Sequence, residues 1–324
     1  SLACSMNQHM NQHNAAPHIH LIGQGVISSI IATHALLAQR PFIQYVRTQR
    51  TAPTMYWLSG ENYALPTATV LNHAVVGTKR MSGIIIIPTK AYQVANVLTE
   101  LQNLIADDAV LVLLHNGLGT HETAQALFPR HTIYAATTSM AGYAFTTTTD
   151  ALTCIQHTAW GQTQIGNIQN ARSANDSTQD NTLSYLSTII PELHHKTSIL
   201  EALYTKLAVN AVINPLTAIH NIKNGRLADS EYMMTMQAIT QEIVMLAKHK
   251  NLSLSYTQIW NTVLGIVHAT GDNYSSMHQD ITHGRRTEVD FINGFVVREA
   301  QKIGLNVPEN EKLLKHIHIL EERL

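Results

Sequence analysis

The 324-residue chain is 45% hydrophobic but only 13% charged, and its formal net charge is −1. That balance excludes a disordered chain, and it excludes a nucleic-acid or polybasic membrane surface, which needs clustered positive charge. Polar work falls instead to Asn, Gln, Thr and 19 histidines.

The histidines are scattered. His18-Ile-His20, His194-His195 and His316-Ile-His318 lack Cys or carboxylate partners at ligand spacing, so no metal site is expected. Two cysteines, Cys4 and Cys154, exclude a disulfide framework and point to a reducing compartment. No run approaches the ~18 apolar residues of a membrane span. Residues 1–17 lack a basic stretch followed by an apolar one and read as a disordered polar tail, so a cytoplasmic location is expected.

From residue 18 the chain alternates apolar runs with helical patterns. Runs 18–22, 42–46, 84–87, 110–114 and 132–136 are aliphatic on both faces, as buried parallel strands are. Helix-like stretches at 27–39 and 91–104 lie between them, which predicts a doubly wound, Rossmann-type α/β sheet. Segments 143–148 and 151–157 alternate around Thr149-Asp150 and predict an antiparallel hairpin closing the sheet edge. The polar stretch 169–181 reads as an exposed loop. From about residue 198 the period is helical, with helices predicted at 199–221, 230–250, 255–270, 287–303 and 310–323. The expected organisation is a tail (1–17), a dinucleotide-binding domain (18–197) and an all-helical domain (198–324), with the site in the cleft between the last two.

The first strand runs into Gly23-Gln24-Gly25-Val26-Ile27-Ser28 and then a helix. This is a dinucleotide-binding turn: Gly23 makes the tight bend, Gly25 lets backbone amides approach a pyrophosphate, and the helix N-terminus favours its charge. Ser28 stands where a third glycine is usual. NAD enzymes place an acid about 20 residues on to bond the ribose 2′-hydroxyl. Here the first acid is Glu61, and the second strand ends in Arg47. A cation there suits a 2′-phosphate, which favours NADPH. Two further strand ends carry Lys90 and His115-Asn116-Gly117-Leu-Gly119. Lys90 can bond phosphate or ribose, and Asn116 can reach both nicotinamide and substrate, although Asn-Gly-Leu-Gly is also an ordinary turn.

In the helical half, Lys206, Asn210 and Asn214 stand at i, i+4 and i+8 among apolar residues. They drift only about 40° and rise about 6 Å per step, so they can line one wall of a cleft. A snorkelling lysine beside two core asparagines is the plain alternative. Asn273-Tyr-Ser275-Ser276 offers neutral groups for a small carboxylate, or else a helix cap with Asp280 downstream. Glu288 can bond a substrate hydroxyl or orient the lysine, or serve as a first-turn helix acid.

Taken together, these segments resemble the ketopantoate reductase family. The matching pieces run in family order from about residue 18 to 312. They include Gly23-x-Gly25, Arg47, Thr-Lys90-Ala-x-Gln, Lys206-Leu-Ala-Val-Asn210-x-Val-Ile-Asn214-Pro-Leu-Thr-Ala, Asn224-Gly225, Ser275-Ser276-Met-x-Gln-Asp and Thr-Glu288-x-Asp-x-Ile-Asn-Gly. The resemblance implies NADPH-dependent reduction of ketopantoate to pantoate, on the way to pantothenate and coenzyme A. It implies Lys206 as proton donor and Asn210, Asn214, Asn224 and Ser276 as substrate holders. It further implies that Asn116 touches both ligands, that Glu288 contacts a hydroxyl or the cofactor, and that Ala141 contacts the cofactor. A 3-hydroxyacid dehydrogenase also uses a helical Lys-x-x-x-Asn, but usually has a glycine-rich run before the lysine, where Ala202-Leu-Tyr-Thr205 stands here. A non-catalytic NADPH sensor would have no need for Lys206, Asn210 and Glu288 together.

Overall fold

The computed structural model describes residues 18–75, 79–147, 152–169 and 176–324. The polar tail at 1–17 and the Thr149-Asp150 turn lie outside the described residues. The predicted parallel strands form β1 (Ile19–Ile22), β2 (Phe42–Val46), β6 (Ile84–Ile87), β7 (Val110–Leu113) and β8 (Thr132–Thr138). β1 and β6 are buried along their whole length, which is why their sequences are uninterrupted Ile and Leu apart from one histidine. Three short strands separate β2 from β6: β3 (Thr54–Tyr56), β4 (Asn62–Ala64) and β5 (Thr69–Val70). Four more follow β8: β9 (Ala141–Thr146), β10 (Thr153–Ala159), β11 (Thr163–Asn167) and β12 (Leu193–His195).

The main sheet has the order β12-β11-β8-β7-β6-β1-β2-β5, parallel except where β11 runs against β8. From β1 the chain moves outward to β2 and β5, then crosses back to β6 on the other side of β1. That reversal creates the crevice at the strands' carboxyl ends where open α/β sheets bind ligands. The predicted hairpin exists as β9 and β10. It does not close the main sheet. It pairs through β10 with β3, giving a second sheet of order β4-β3-β10-β9. β3 is only three residues long, so the sequence carries little period to announce this partner.

The helices of the first half are α1 (Val26–Leu37), α2 (Ala91–Leu101), α3 (His121–Leu127) and α4 (Asp176–Ser187). α4 corrects the predicted 169–181 loop from residue 176 on, where polar residues hid a helix that packs beside β12; residues 170–175 lie outside the described residues. The second half is helical throughout: α5 (Ile199–His220), α6 (Ser230–His249), α7 (Tyr256–Ala269), α8 (Ser276–Thr282), α9 (Asn293–Lys302) and α10 (Pro308–Glu322). The single helix predicted at 287–303 is broken. A one-turn 3-10 segment at Val289–Phe291 precedes α9, and Ile292 between them has φ −114° and ψ −93°.

α5 is the axis of this half. It packs against α6, α7, α8 and α10 and lies across β8 and β11. Leu118 and Ala135 of the sheet region join its apolar core. Among the described residues no helix is long and apolar enough to cross a membrane, and no three His, Cys, Asp or Glu side chains are grouped to hold a metal ion.

Candidate active site

Gly23 has φ +85°, a conformation that favours glycine, and its N–H donates to the Tyr45 carbonyl at 2.7 Å. The chain therefore turns sharply off β1 toward α1. Gly25 is the residue before α1, and a Cβ built on it meets nothing within 4 Å. The protein itself does not need glycine there, and the space in front of the helix N-terminus stays clear. The amides of the first helical turn point into that space without in-helix partners. This fits a diphosphate. Ser28 packs under the turn as a strap: its hydroxyl donates to the Gly23 carbonyl at 2.7 Å and accepts from Gln44 Nε2 at 3.0 Å. Gln24 is buried and donates to Gln44 Oε1, so its side chain serves the turn from below. Val26 and Ile27 are half-buried. Val26 borders Gly142, which places the neighbouring Ala141 beside the α1 N-terminus. Arg47 lies just beyond β2, exposed, with Nη2 3.1 Å from Glu100 Oε1. It is a surface ion pair rather than a free cation.

The loops after β6 and β7 meet the helical region. α2 receives a carboxylate at its N-terminus: the Ala91 N–H donates to Glu288 Oε2 at 2.8 Å. Lys90 Nζ lies 3.8 Å from Glu288 Oε1 and 3.7 Å from Asp280 Oδ2. Arg285 Nε donates to Asp280 Oδ1 at 3.0 Å. Asn116 lies beside Glu288 and favours its charged form. Burial raises the Glu288 pKa above the usual carboxylate range, although Lys90, the Ala91 N–H and Asn116 oppose it. The two Lys90 contacts are long, which is consistent with burial winning. Gly117 has φ +83°, and a Cβ there would come within 2.4 Å of the Phe291 carbonyl oxygen, which accepts from Leu118 N–H at 2.8 Å. Glycine at 117 is what lets the Asn116 loop dock on the turn that follows Glu288.

The α5 stripe forms the other wall. Asn210 and Asn214 are each 7% exposed and Lys206 is half-buried. Among the described residues Lys206 makes no ion pair, and burial alone pulls its pKa below the usual lysine range. Glu288 does not orient Lys206. Its carboxylate is engaged by Lys90, Asn116 and the Ala91 amide. Asn210 Nδ2 is buried without a partner, as is Asn224 Oδ1. Buried amides are ordinarily bonded, so these two groups call for a ligand's acceptor and donor. Asn224 is set by its own Nδ2 donating to Thr270 Oγ1 at 2.9 Å, and its N–H donates to the Asn273 carbonyl at 2.9 Å. The Asn273 and Ser276 residues are exposed.

Ser275 is different. Its Oγ accepts from His278 N–H at 3.1 Å, capping α8, and lies 2.6 Å from Thr217 Oγ1 on α5. The cap alternative is thus the structural one for Ser275, and its buried hydroxyl anchors α8 to α5 rather than facing the cleft. The residues missed in the sequence are Asp280 and Arg285, with the Ala91 amide. Asp280 lies in the same segment as Ser276 and eight residues before Glu288, but nothing in that spacing announces a pairing with Lys90.

Comparisons with known proteins bear on this arrangement. The family sequence model "Ketopantoate reductase PanE/ApbA" matches residues 19–170, and "Ketopantoate reductase PanE/ApbA C terminal" matches 198–321. A 2-dehydropantoate 2-reductase of Vibrio cholerae is 31% identical over 307 residues, 93% of this chain and 97% of that protein. One from Shigella flexneri is 33% identical over 240 residues, 73% of each. Among solved structures, a D-mandelate dehydrogenase with NADH and anilino(oxo)acetate superposes with TM-score 0.83 at 20% identity, covering 94% of this chain and 99% of that one. A PanE/ApbA family ketopantoate reductase from Ralstonia eutropha JMP134 does so with TM-score 0.80 at 19% identity, with the same coverage. At those identities the two structures speak for the fold alone. Two family matches that together span most of the sequence place the chain in the ketopantoate reductase family of oxidoreductases.

Proposed function

We propose that the protein reduces 2-dehydropantoate (ketopantoate) to (R)-pantoate with NADPH, in pantothenate and coenzyme A biosynthesis. The observation that carries this reading is the α5 stripe of Lys206, Asn210 and Asn214, with Asn210 Nδ2 buried and unpartnered, facing a family match that runs through both halves of the chain. Curated relatives named 2-dehydropantoate 2-reductase support the substrate.

The turn at Gly23 and Gly25, with Val26, Ile27 and Ser28 at the start of α1, holds the cofactor diphosphate. Gln24 and Ala141 complete its surroundings. Arg47 leaves Glu100 to meet the 2′-phosphate, and the lack of any acid before Glu61 favours NADPH over NADH. When bound, the nicotinamide supplies a hydride to the keto carbon. Asn116 and Lys90, at the rims of β7 and β6, position the ribose and amide end, with Glu288 between them.

The substrate sits against α5. Asn210, Asn214 and Asn224 bond its polar groups, and Ser276 with Asn273 binds its carboxylate. Ser275 fixes α8 so that Ser276 is in place. Negative charge develops on the keto oxygen as hydride arrives. The Lys206 ammonium stabilises that charge and then donates its proton. Burial favours the transfer, because a lysine with a lowered pKa is a stronger acid. We place the boundary between the two working halves at 197/198, so that each contributes one wall.

The test is cofactor oxidation with ketopantoate and a panel of other 2-keto acids, using NADPH and NADH in parallel. The proposal expects the highest kcat/KM for ketopantoate with NADPH. A better 2-keto acid substrate, or equal use of NADH, would overturn it.

A further inference from the structure

Pro215 lies inside α5, buried, one residue after Asn214. A proline has no N–H, so the carbonyl four residues back, that of Ala211, loses its helical donor, and the ring pushes that carbonyl off the helix axis. The residue before a proline also resists the helical conformation, and here that residue is Asn214. The ligand-facing stripe is thus built across a break in the helical ladder: Lys206 and Asn210 come before the open carbonyl and Asn214 after it.

The open carbonyl is filled from another helix. Asn293 Nδ2 donates to the Ala211 carbonyl at 3.1 Å and to Asn310 Oδ1 at 3.0 Å. Asn310 in turn donates from Nδ2 to Glu242 Oε1 at 2.9 Å. Glu242 also accepts from the backbone N–H groups of Glu309 and Asn310, both at 3.0 Å, which holds the first turn of α10. Asn293 and Asn310 are fully buried and Glu242 nearly so. Both atoms facing the Asn293 amide nitrogen are acceptors, so the orientation of the amide is fixed by chemistry. Its other end, Oδ1, is buried with no partner. A side chain that leaves its own oxygen unsatisfied in the core is retained for its two N–H groups. Asn293 also begins α9, five residues after Glu288, so it ties the segment carrying Glu288 to the helix carrying Lys206.

We propose that Asn293 is a positioning residue for the keto-acid reduction: its amide replaces the N–H that Pro215 lacks, and the pair fixes the turn of α5 that carries Asn210 and Asn214 across the missing helical bond. This rests on the α5 stripe being the substrate wall, as proposed above. Asn293 touches no reacting atom. Its effect passes through the Ala211 carbonyl to the neighbouring Asn210.

The test is a double-mutant cycle with Asn293→Ala, Pro215→Ala and the pair together, read by steady-state kinetics with ketopantoate and by amide hydrogen exchange across residues 207–220 of the full chain. Asn293→Ala should raise the ketopantoate KM about tenfold, the worth of one net hydrogen bond, with the NADPH KM unchanged. Its α5 amides should exchange faster. In the Pro215→Ala background, where residue 215 supplies its own N–H, adding Asn293→Ala should change neither KM nor exchange by more than about twofold. Additive effects in the two backgrounds would overturn the proposal, since Asn293 would then act only as core packing. If Asn293→Ala alone fails to fold, folding of the double variant supports the coupling and its failure to fold contradicts it. If the wild-type chain does not turn over ketopantoate, the substrate reading fails, and the exchange cycle still decides whether Asn293 and Pro215 act as one unit.

Discussion

Replacing Gly117 with alanine tests the contact that joins the Asn116 loop to the Glu288 segment. Two costs are separable. Residue 117 has φ +83°, and an L-residue there costs about 1–2 kcal/mol of backbone strain. The new Cβ would lie 2.4 Å from the Phe291 carbonyl oxygen, so that oxygen must retreat by roughly 1 Å. The Leu118 N–H to Phe291 carbonyl bond at 2.8 Å is then lost or stretched, at about 0.5–1.5 kcal/mol. The sum is about 1.5–3.5 kcal/mol. Gly284→Ala is the control for strain alone, because Gly284 has φ +68° and open space around a Cβ. Urea unfolding should give a loss for Gly117→Ala larger than that for Gly284→Ala by about 1 kcal/mol or more. Only Gly117→Ala should also raise the KM for both ligands, since Asn116 and Glu288 meet across this contact. Equal losses for the two variants, with unchanged kinetics, would show that the loop does not depend on close approach to Phe291.

Three further outcomes follow from the same geometry. Arg47→Ala should weaken NADPH about tenfold and leave NADH nearly unchanged; the loss sits at the low end for a charge-assisted bond because Arg47 must first leave Glu100, and calorimetric titration of both cofactors checks it. Burial holds the His121 pKa down at about 3, with neighbouring His115 adding to it. The unfolded chain therefore binds a proton that the folded chain refuses, and stability falls as pH drops from about 6.5, reaching about 3 kcal/mol for this one group by pH ~4; His121→Phe should flatten that acid limb in unfolding titrations. Burial lowers the Lys206 pKa, so its proton-donating form is lost as pH rises through that lowered value, and the alkaline limb of kcat should lie below the usual lysine range.

Much of the sheet was legible because its strands are buried on both faces: Ile84-Ile-Ile-Ile87 has no polar position to confuse it with a helix stripe. The second sheet was not, because β3 and β4 are three residues each and their partner β10 lies about 100 residues away. α4 was missed because Asp, Ser, Thr and Gln dominate its first half, and its core-facing Leu183, Tyr185 and Leu186 come only at its end. At the site, side chains that act from one helix were readable from spacing alone, as Lys206, Asn210 and Asn214 are. Pairings across the two halves were not. Glu288 meets the Ala91 amide from 197 positions away, and that pairing rather than any local signal decides its environment. Ser275 and Ser276 are adjacent, yet one is a buried cap and the other an exposed first residue of α8, a distinction that only the helix geometry makes.

The most direct measurement of the central claim is single-turnover NADPH oxidation by Lys206→Ala beside the wild type, with ketopantoate saturating and folding checked by circular dichroism. Lys206 makes no ion pair among the described residues, so its removal strands no partner charge and the fold should survive. The account expects the hydride-transfer rate to drop at least ~100-fold, the lower range for a lost general acid. NADPH affinity should stay unchanged, because the Gly23–Gly25 turn and Arg47 lie on the opposite wall. A folded Lys206→Ala variant that transfers hydride at close to the wild-type rate would contradict the account and reduce the α5 stripe to packing.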